Sequence, residues 1–439
     1  MSRALLVALL AVGCGRQLNP EYCAGHPEDT DCQIKGLAMV DAPLGCPAMA
    51  CTDQKRPVCE ESTHNCVECI PPGQPGATTC PTPSDICGED RLCHACLVDT
   101  HCTLSMVCLA NGTCADKNKV LYAAPPPPNG PGMGDTCSIE TPCTFNTAVS
   151  KMDATHDIVK MTTTKGTDYS EPGVTLEQPG TIIGTGATFT PTGNGAAISM
   201  SGLKGAVEIV GLTIQSSRAE GILCAETPIQ IRRVTINNSA TFGLKTSKCD
   251  ATVERSRFQH NAGGAMELLE GTFEIRNNVV APANGTNGVD NGGNLHLDKA
   301  KGRVVFNTVV DNLGKNNKPA GIGCTGSAML YVGQNIATAN GDNKPISNLT
   351  GDCPHTNNFT DSLTKAGFRG TNDYHLTLQS VTNDPYLRDD PTAETAPFYA
   401  CRLPGMGQMG PYIDDFDGYL RPYNLFCDRG AYEYHPPTP

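Results

Sequence analysis

"VEIVGLTIQSSRAEG" (Val207–Gly221) and "IQIRRVTINNSATFG" (Ile229–Gly243) lie on each other without a gap, 22 residues apart. Ile209, Ile231, Val253 and Ile275 follow one another at that spacing, and so do Ile214, Ile236, Phe258 and Val280. Within each unit, apolar and polar residues alternate at period two, the pattern of strands with one buried face. Later copies are expected at Val305/Val310 and Val332/Ala337, after insertions of 8 and 5 residues beyond the period. Glycines at Gly221, Gly243 and Gly264 punctuate the units.

Such a period is too short for a propeller blade, and the leucine consensus of leucine-rich repeats is missing. It suits one coil of a parallel β-helix. One coil cannot bury its inward face, but stacked coils bury each other's. With a rise of about 4.8 Å per coil, roughly seven coils give a rod of about 34 Å. Asn278 and Asn335 fall in equivalent turns, where stacked amides can hydrogen-bond from coil to coil.

The flanks carry a resemblance. "TPCTFNTAVSKMDATHDIVKM" (Thr141–Met161) resembles the start of right-handed parallel β-helix proteins of the pectate-lyase-like class. That resemblance implies a capping helix over Phe145 to Met152, a first strand at "DIVKM" and a turn at Asp168-Tyr169. "DDFDGYLRPYNLFCDRGAYEY" resembles the closing signature of secreted bacterial β-helix proteins, matched at Asp415, Asp417, Gly418, Arg421, Pro422, Asp428, Gly430, Ala431 and Glu433. The expected class is all-β: a right-handed, single-stranded parallel β-helix over 137–435, preceded by a small disulfide-rich region. This fold hosts lyases, hydrolases, adhesins and scaffolds alike, so it names no activity.

At the other end, "MSRALLVALLAVGCGRQ" joins Arg3 to an apolar run from Ala4 to Val12, the core of a secretory signal. Ala11-Val12-Gly13-Cys14 resembles the lipobox of bacterial lipoproteins, with Ala11 where leucine is usual. The resemblance implies a signal peptide over 1–13 and a lipid on Cys14; a plain export signal cut further on is the alternative. Gly15 lacks the aspartate that resembles an inner-membrane retention signal, so outer-membrane or extracellular delivery is expected.

Cysteine usage agrees with export. Of 23 cysteines, 22 remain after Cys14, enough for eleven disulfides in an oxidising compartment. After a spacer over 14–45 comes a cysteine-rich region over 46–115. There Cys51, Cys59, Cys66 and Cys69 recur as Cys80, Cys87, Cys93 and Cys96, with Cys102, Cys108 and Cys114 as a shortened third copy. "CVEC" (Cys66, Cys69) and "CHAC" (Cys93, Cys96) together also match the pattern of a zinc ribbon. Behind an export signal, disulfides are the expected use, so no metal is assigned. The region resembles cysteine-rich repeats of secreted proteins in Gram-negative bacteria. "AAPPPPNGPGMG" (Ala123–Gly134) reads as a stiff linker within 116–136. The later cysteines are expected to pair locally: Cys137–Cys143, Cys224–Cys249, Cys324–Cys353 and Cys401–Cys427.

A net charge of −13 supplies no basic stripe for nucleic acid. Aromatics make up 5% and tryptophan is absent, which leaves few platforms for stacking sugars. The polygalacturonase set is not assembled, since "GHG" and "RIK" do not occur; Asp389-Asp390 and Asp414-Asp415 are isolated doublets. One coil, "NGVDNGGNLHLDKAKGR", gathers Asp290, His296, Asp298, Lys299, Lys301 and Arg303. A histidine with carboxylates and cations can act on a sugar acid. Alternation instead predicts Leu295 and Leu297 inward, with His296 and Asp298 out in water. Two functions stand at this point. One is a non-catalytic envelope lipoprotein whose rod binds polysaccharide or a surface protein. The other is a membrane-anchored polysaccharide lyase, hydrolase or epimerase, and only this one calls for a cofactor, Ca²⁺.

Overall fold

The computed structural model describes residues 98–126, 134–163, 166–280, 294–310, 321–338 and 349–360, apart from a few single positions. Beyond these it describes five short strands between 58 and 94 and at 374–375, and isolated neighbours. Cys14, Asp290, Cys401, Cys427 and the closing signature lie outside the described residues.

The rod is a right-handed parallel β-helix with three faces. Sheet 1 has ten strands, from Val120–Ala123 to His355–Thr356; sheet 2 has ten, from Asp168–Glu171 to Tyr374–His375; sheet 3 has eight, from Val174–Leu176 to Leu349–Gly351. From Ile158–Met161 to Phe359–Thr360 the chain visits sheets 1, 2 and 3 in turn, and every pairing between coils is parallel. The opening stretch does what its alternation requires. Val207–Val210 pairs with Ile229–Arg232, and in both strands every second residue is buried. Ile209, Ile231, Val253 and Ile275 form one inward column, each fully enclosed. Enclosing one such side chain is worth about 1.5–3 kcal/mol, so the column is a large share of what holds the coils.

The register departs from the expected one by a single residue after Ile275. Its partner is Val304, followed by Val332, and the parallel column runs Val280, Val309, Ala337. Valine at 304 and 305, and again at 309 and 310, makes either choice plausible in sequence. The insertions are therefore 7 and 6 residues (29 − 22 and 28 − 22) rather than 8 and 5. More coils exist than seven because the rod begins before the regular repeat. Early coils keep no period: Val159 stacks on Ile182 and Ile182 on Ile209.

The corners explain how so tight a coil closes. Through the regular coils a residue that follows a strand takes a left-handed conformation: Arg233, Arg255, Asn277, Phe306 and Gln334 leaving sheet 1; Ser216, Asn238 and His260 leaving sheet 2; Glu226, Lys248, Glu270 and Lys299 leaving sheet 3. Positive φ costs a non-glycine residue roughly 1–2 kcal/mol, so the stacked strands must outweigh it. Where a side chain cannot fit at all, glycine appears: a Cβ on Gly302 would lie 2.1 Å from the Phe273 carbonyl oxygen.

The start of the rod differs from expectation in three ways. Val120–Ala123 is already a strand of sheet 1, paired with Ile158–Met161, so the rod begins inside the stretch expected to be linker. Its four buried residues, Val-Leu-Tyr-Ala, are why. Asp168–Glu171 is a strand rather than a turn, with Tyr169 buried and its hydroxyl donating to the Ala123 and Thr162 carbonyls. The helix Phe145–Ser150 is there, shorter by two residues than expected. Thr144 caps it, and Glu171 accepts from the N–H groups of Phe145 and Asn146, satisfying donors a helix leaves orphaned. Phe145 packs edge-on to Phe189 at 5.1 Å.

The third cysteine copy is welded to the rod. Val107 and Ala115 pack with Val120, Tyr122, Ile158 and Ile183 on the outer side of sheet 1. Lys160, nearly buried, pairs with Asp99, and the Tyr122 hydroxyl donates to the Ser105 carbonyl. In all three copies the same backbone pairing recurs: Cys59 opposite Cys66, Cys87 opposite Cys93, Cys108 opposite Cys114. Disulfides join Cys102–Cys114, Cys137–Cys143, Cys224–Cys249 and Cys324–Cys353. No helix among the described residues is long and apolar enough to cross a membrane.

Candidate functional site

With the inward positions committed to packing, function falls to the outward columns. On sheet 1 one column runs Arg232, Glu254, Arg276, and the next runs Glu208, Gln230, Thr252, Glu274, Arg303. Arg232 lies 3.1 Å from Glu254 and 3.6 Å from Glu208; Arg276 binds Glu254 through Nε at 2.8 Å; Arg303 binds Glu274 at 3.0 Å. Every one of these charges faces an opposite charge, so the face is an ion-pair ladder rather than a site for a charged ligand. Arg303 belongs to this ladder and is thereby separated from His296, which is on sheet 3.

Sheet 2 is different. Asp168, Thr188, Thr213, Thr235 and Arg257 stack in one outward column. Beside it Gln215, Asn237 and Gln259 stack in a second, continuing Ser170 and Thr190. Over these five coils, between Asp168 and Arg257, this face is hydroxyl and amide; beyond Arg257 the column continues with Val279 and Thr308, both buried.

Among the described residues, sheet 3 holds a cluster with acid–base character that spans several coils. Lys245, Glu267 and His296 occupy the same outward column on three successive coils. Lys245 Nζ lies 2.8 Å from Glu267 Oε2 and 5.6 Å above the Phe242 ring; His296 Nδ1 lies 3.9 Å from Glu267 Oε1. Glu267 points outward yet is buried, and the His296 side chain is only 14% exposed, with no hydrogen-bond partner for Nδ1. His296 faces outward as alternation predicts, but it is largely covered rather than out in water, and the cluster it belongs to spans three coils rather than one. Alternation gave the direction correctly but could not report what stacks beside it. Burial lowers the His296 pKa, opposed by the negative charges of Glu267 and Asp298. Lys299, at the corner beyond, pairs instead with Glu270 at 3.3 Å. Lys245 and Glu267 were missed because they lie 51 and 29 residues before His296 (296 − 245 and 296 − 267). The repeat offset was the signal that could have found them.

A cleft of ~370 Å³ opens between Asp153, Asp157, Gln178, Thr181, Glu208 and Gln230. Its acids are already engaged in part: Asp153 accepts from Thr155 and His156, which hold its carboxyl well below the usual range, and Glu208 faces Arg232. Among the described residues, no three Asp, Glu and His side chains lie close enough to share one metal ion.

Comparison with known proteins matches the family model described as "Right handed beta helix region" to residues 194–360. No curated protein matches. Among solved structures the chain is similar to that of pectate lyase Pel9A, with 13% identity, a TM-score of 0.40, and coverage of 72% of this chain and 96% of that one.

Proposed function

We propose that this right-handed parallel β-helix is a non-catalytic surface scaffold, held at the cell envelope by a lipid on Cys14 and binding polysaccharide along its length. The observation that carries the reading is the outer face of sheet 2. Thr188, Thr213 and Thr235 repeat a hydroxyl at the strand spacing of about 4.8 Å, flanked by the amides of Gln215, Asn237 and Gln259. Many weak, evenly spaced hydrogen bonds suit a long uncharged chain, because each site adds to the others once the first is engaged. The ion-pair ladder on sheet 1 and the disulfide-stapled coils favour rigidity over chemistry. The cysteine-rich repeats fit a stalk for an oxidising, extracytoplasmic setting, where a segment poor in large apolar residues relies on crosslinks.

A second reading is supported by the Lys245–Glu267–His296 column: an anchored polysaccharide lyase, hydrolase or epimerase. Proton abstraction from a sugar acid needs a base and a positive charge over the same residue, and this column holds both. One experiment separates the two. The purified rod is given a panel of neutral and acidic polysaccharides, and bound protein, unsaturated products and reducing ends are measured. Binding without turnover, with or without Ca²⁺, is expected. Turnover that disappears in His296→Ala while the fold survives would replace the scaffold with the enzyme.

A further inference from the structure

We infer that Lys245, Glu267 and His296 form a proton-gated anion site on the outer face of sheet 3. With His296 neutral, the lysine charge is consumed by Glu267; with His296 protonated, the three side chains carry one net positive charge that an anionic group of a ligand can neutralise.

The geometry sets the gate. Lys245 uses Oε2 of Glu267 at 2.8 Å, while His296 Nδ1 faces the other oxygen, Oε1, at 3.9 Å. That gap is too long for a hydrogen bond, and in neutral imidazole Nδ1 is left unpartnered. A proton on Nδ1 turns the idle contact into a charge-assisted one, and a small rotation closes it. Both oxygens of the buried carboxylate are then held by cations from opposite sides. Among the described residues, few other charges face His296. Glu267 stands on the preceding coil with Glu270 at its end, and Asp298 and Lys299 follow on its own strand. The next coil offers Gly323 and Thr325, which carry no charge. Gly323 directly follows His296 in the column and adds no side chain there, and the 14% of the imidazole that remains exposed is where a ligand would reach it. Lys299 is taken by Glu270, so the new charge on the column is offset only by Asp298, two residues along the same strand.

This deepens the binding reading, on which it rests, by giving the rod a second face whose ligand is acidic and whose affinity follows pH. The test uses the full chain with dextran sulfate, whose groups stay ionised between pH 5 and 8, against neutral dextran of equal length and inorganic sulfate. One added charge near the ligand should tighten dextran sulfate binding about three- to tenfold at pH 5.5 relative to pH 8. His296→Gln should abolish that ratio, and Lys245→Gln should weaken binding at both pH values. In the unaltered chain, dextran sulfate should raise the midpoint of the His296 imidazole titration, as linkage requires. Inorganic sulfate reproducing the ratio would make the ligand a free anion; the polymer alone reproducing it would make it an acidic chain. An unchanged midpoint, or a pH ratio that survives in His296→Gln, overturns the gate. Neutral dextran reads sheet 2 independently, so failure of the scaffold and failure of the gate give different results.

Discussion

Asn278 and Asn307, 29 residues apart, are joined twice: Oδ1 of Asn307 accepts from the backbone N–H of Asn278 at 3.0 Å and from its Nδ2 at 3.0 Å. Asn335 does the same for Asn307, and Asn358 for Asn335. Ser256 opens the series, its N–H donating to Asn278 Oδ1. All these side chains are buried at the corner between sheets 1 and 2, and Ser256, Asn278, Asn307 and Asn335 each stand one position after a left-handed residue. They satisfy the inward-pointing backbone groups that a sharp corner leaves without strand partners.

Removing a middle rung should therefore cost more than removing one bond. Asn307→Ala strands the Asn278 amide donors and the Ile275 carbonyl inside the rod. Each unsatisfied buried group costs about 1–3 kcal/mol, so a loss on the order of 3 kcal/mol is expected. Asn237→Ala, on the outer face of sheet 2, is the control and should be within about 0.5 kcal/mol of the parent. Urea unfolding of both variants checks this; equal midpoints would remove the ladder from the list of stabilising features.

The inward column gives a sharper contrast between neighbours. Ile231→Asp places a carboxylate between Ile209 and Val253 with no partner for its charge. Burial then costs several kcal/mol or forces the acid to stay protonated. Gln230→Asp, one residue away and facing outward beside Arg232, should be nearly silent. Thermal melts of the pair decide it, and equal stability would mean the faces are exchanged.

The constant 22-residue spacing made the strand direction and the stacking legible over Ile209–Ile275, because one inward face must be apolar at fixed intervals. Legibility ended wherever two adjacent residues could serve equally. Val304 and Val305 are both apolar, so the register slipped by one there, and Asn307 escaped notice between the two asparagines that were recognised. The corners were illegible for another reason: Arg233, Lys248 and His260 take left-handed backbone without being glycine, under the compulsion of neighbouring coils. His296 shows the same limit at the site. Its outward direction follows from alternation, but its column neighbours, Glu267 and beyond it Lys245, are brought near only by stacking.

The cysteine repeat now predicts connectivity. Cys102–Cys114 joins the first and third cysteines of the last copy, and Cys108 sits across from Cys114 as Cys87 does from Cys93 and Cys59 from Cys66. Equivalent positions in the earlier copies give Cys80–Cys93 and Cys51–Cys66. Peptide mapping under non-reducing conditions should recover both, together with Cys224–Cys249 and Cys324–Cys353. Removing Cys224–Cys249 as a double alanine variant should cost about 2–4 kcal/mol. Cross-links between the 46–114 cysteines and those of the later coils would sink the assignment.

The anchor is tested in cells. A fatty-acid probe should label the chain, and Cys14→Ala should lose the label and release the protein from the membrane fraction. Label unchanged in that variant would leave a plain export signal as the explanation of the N-terminal apolar run.

His296 gives a pH dependence whose sign follows from burial. Its folded pKa lies below the ordinary value of about 6.5, chiefly because enclosure penalises the charged ring, with Glu267 and Asp298 offsetting part of that penalty. The unfolded chain therefore takes up this proton more readily than the folded one. Stability from this residue is fully present above about pH 6.5 and falls as pH drops from there toward the folded pKa, below which no further loss occurs. The contribution of this one residue is isolated by difference. Urea unfolding of the parent and of His296→Gln at pH 8, 6.5 and 5 does so. The parent should lose more stability than the variant between pH 8 and 5. A variant that loses more would mean that His296 is better ionised in the fold than out of it, and that Glu267 outweighs burial even with Lys245 already bound to it.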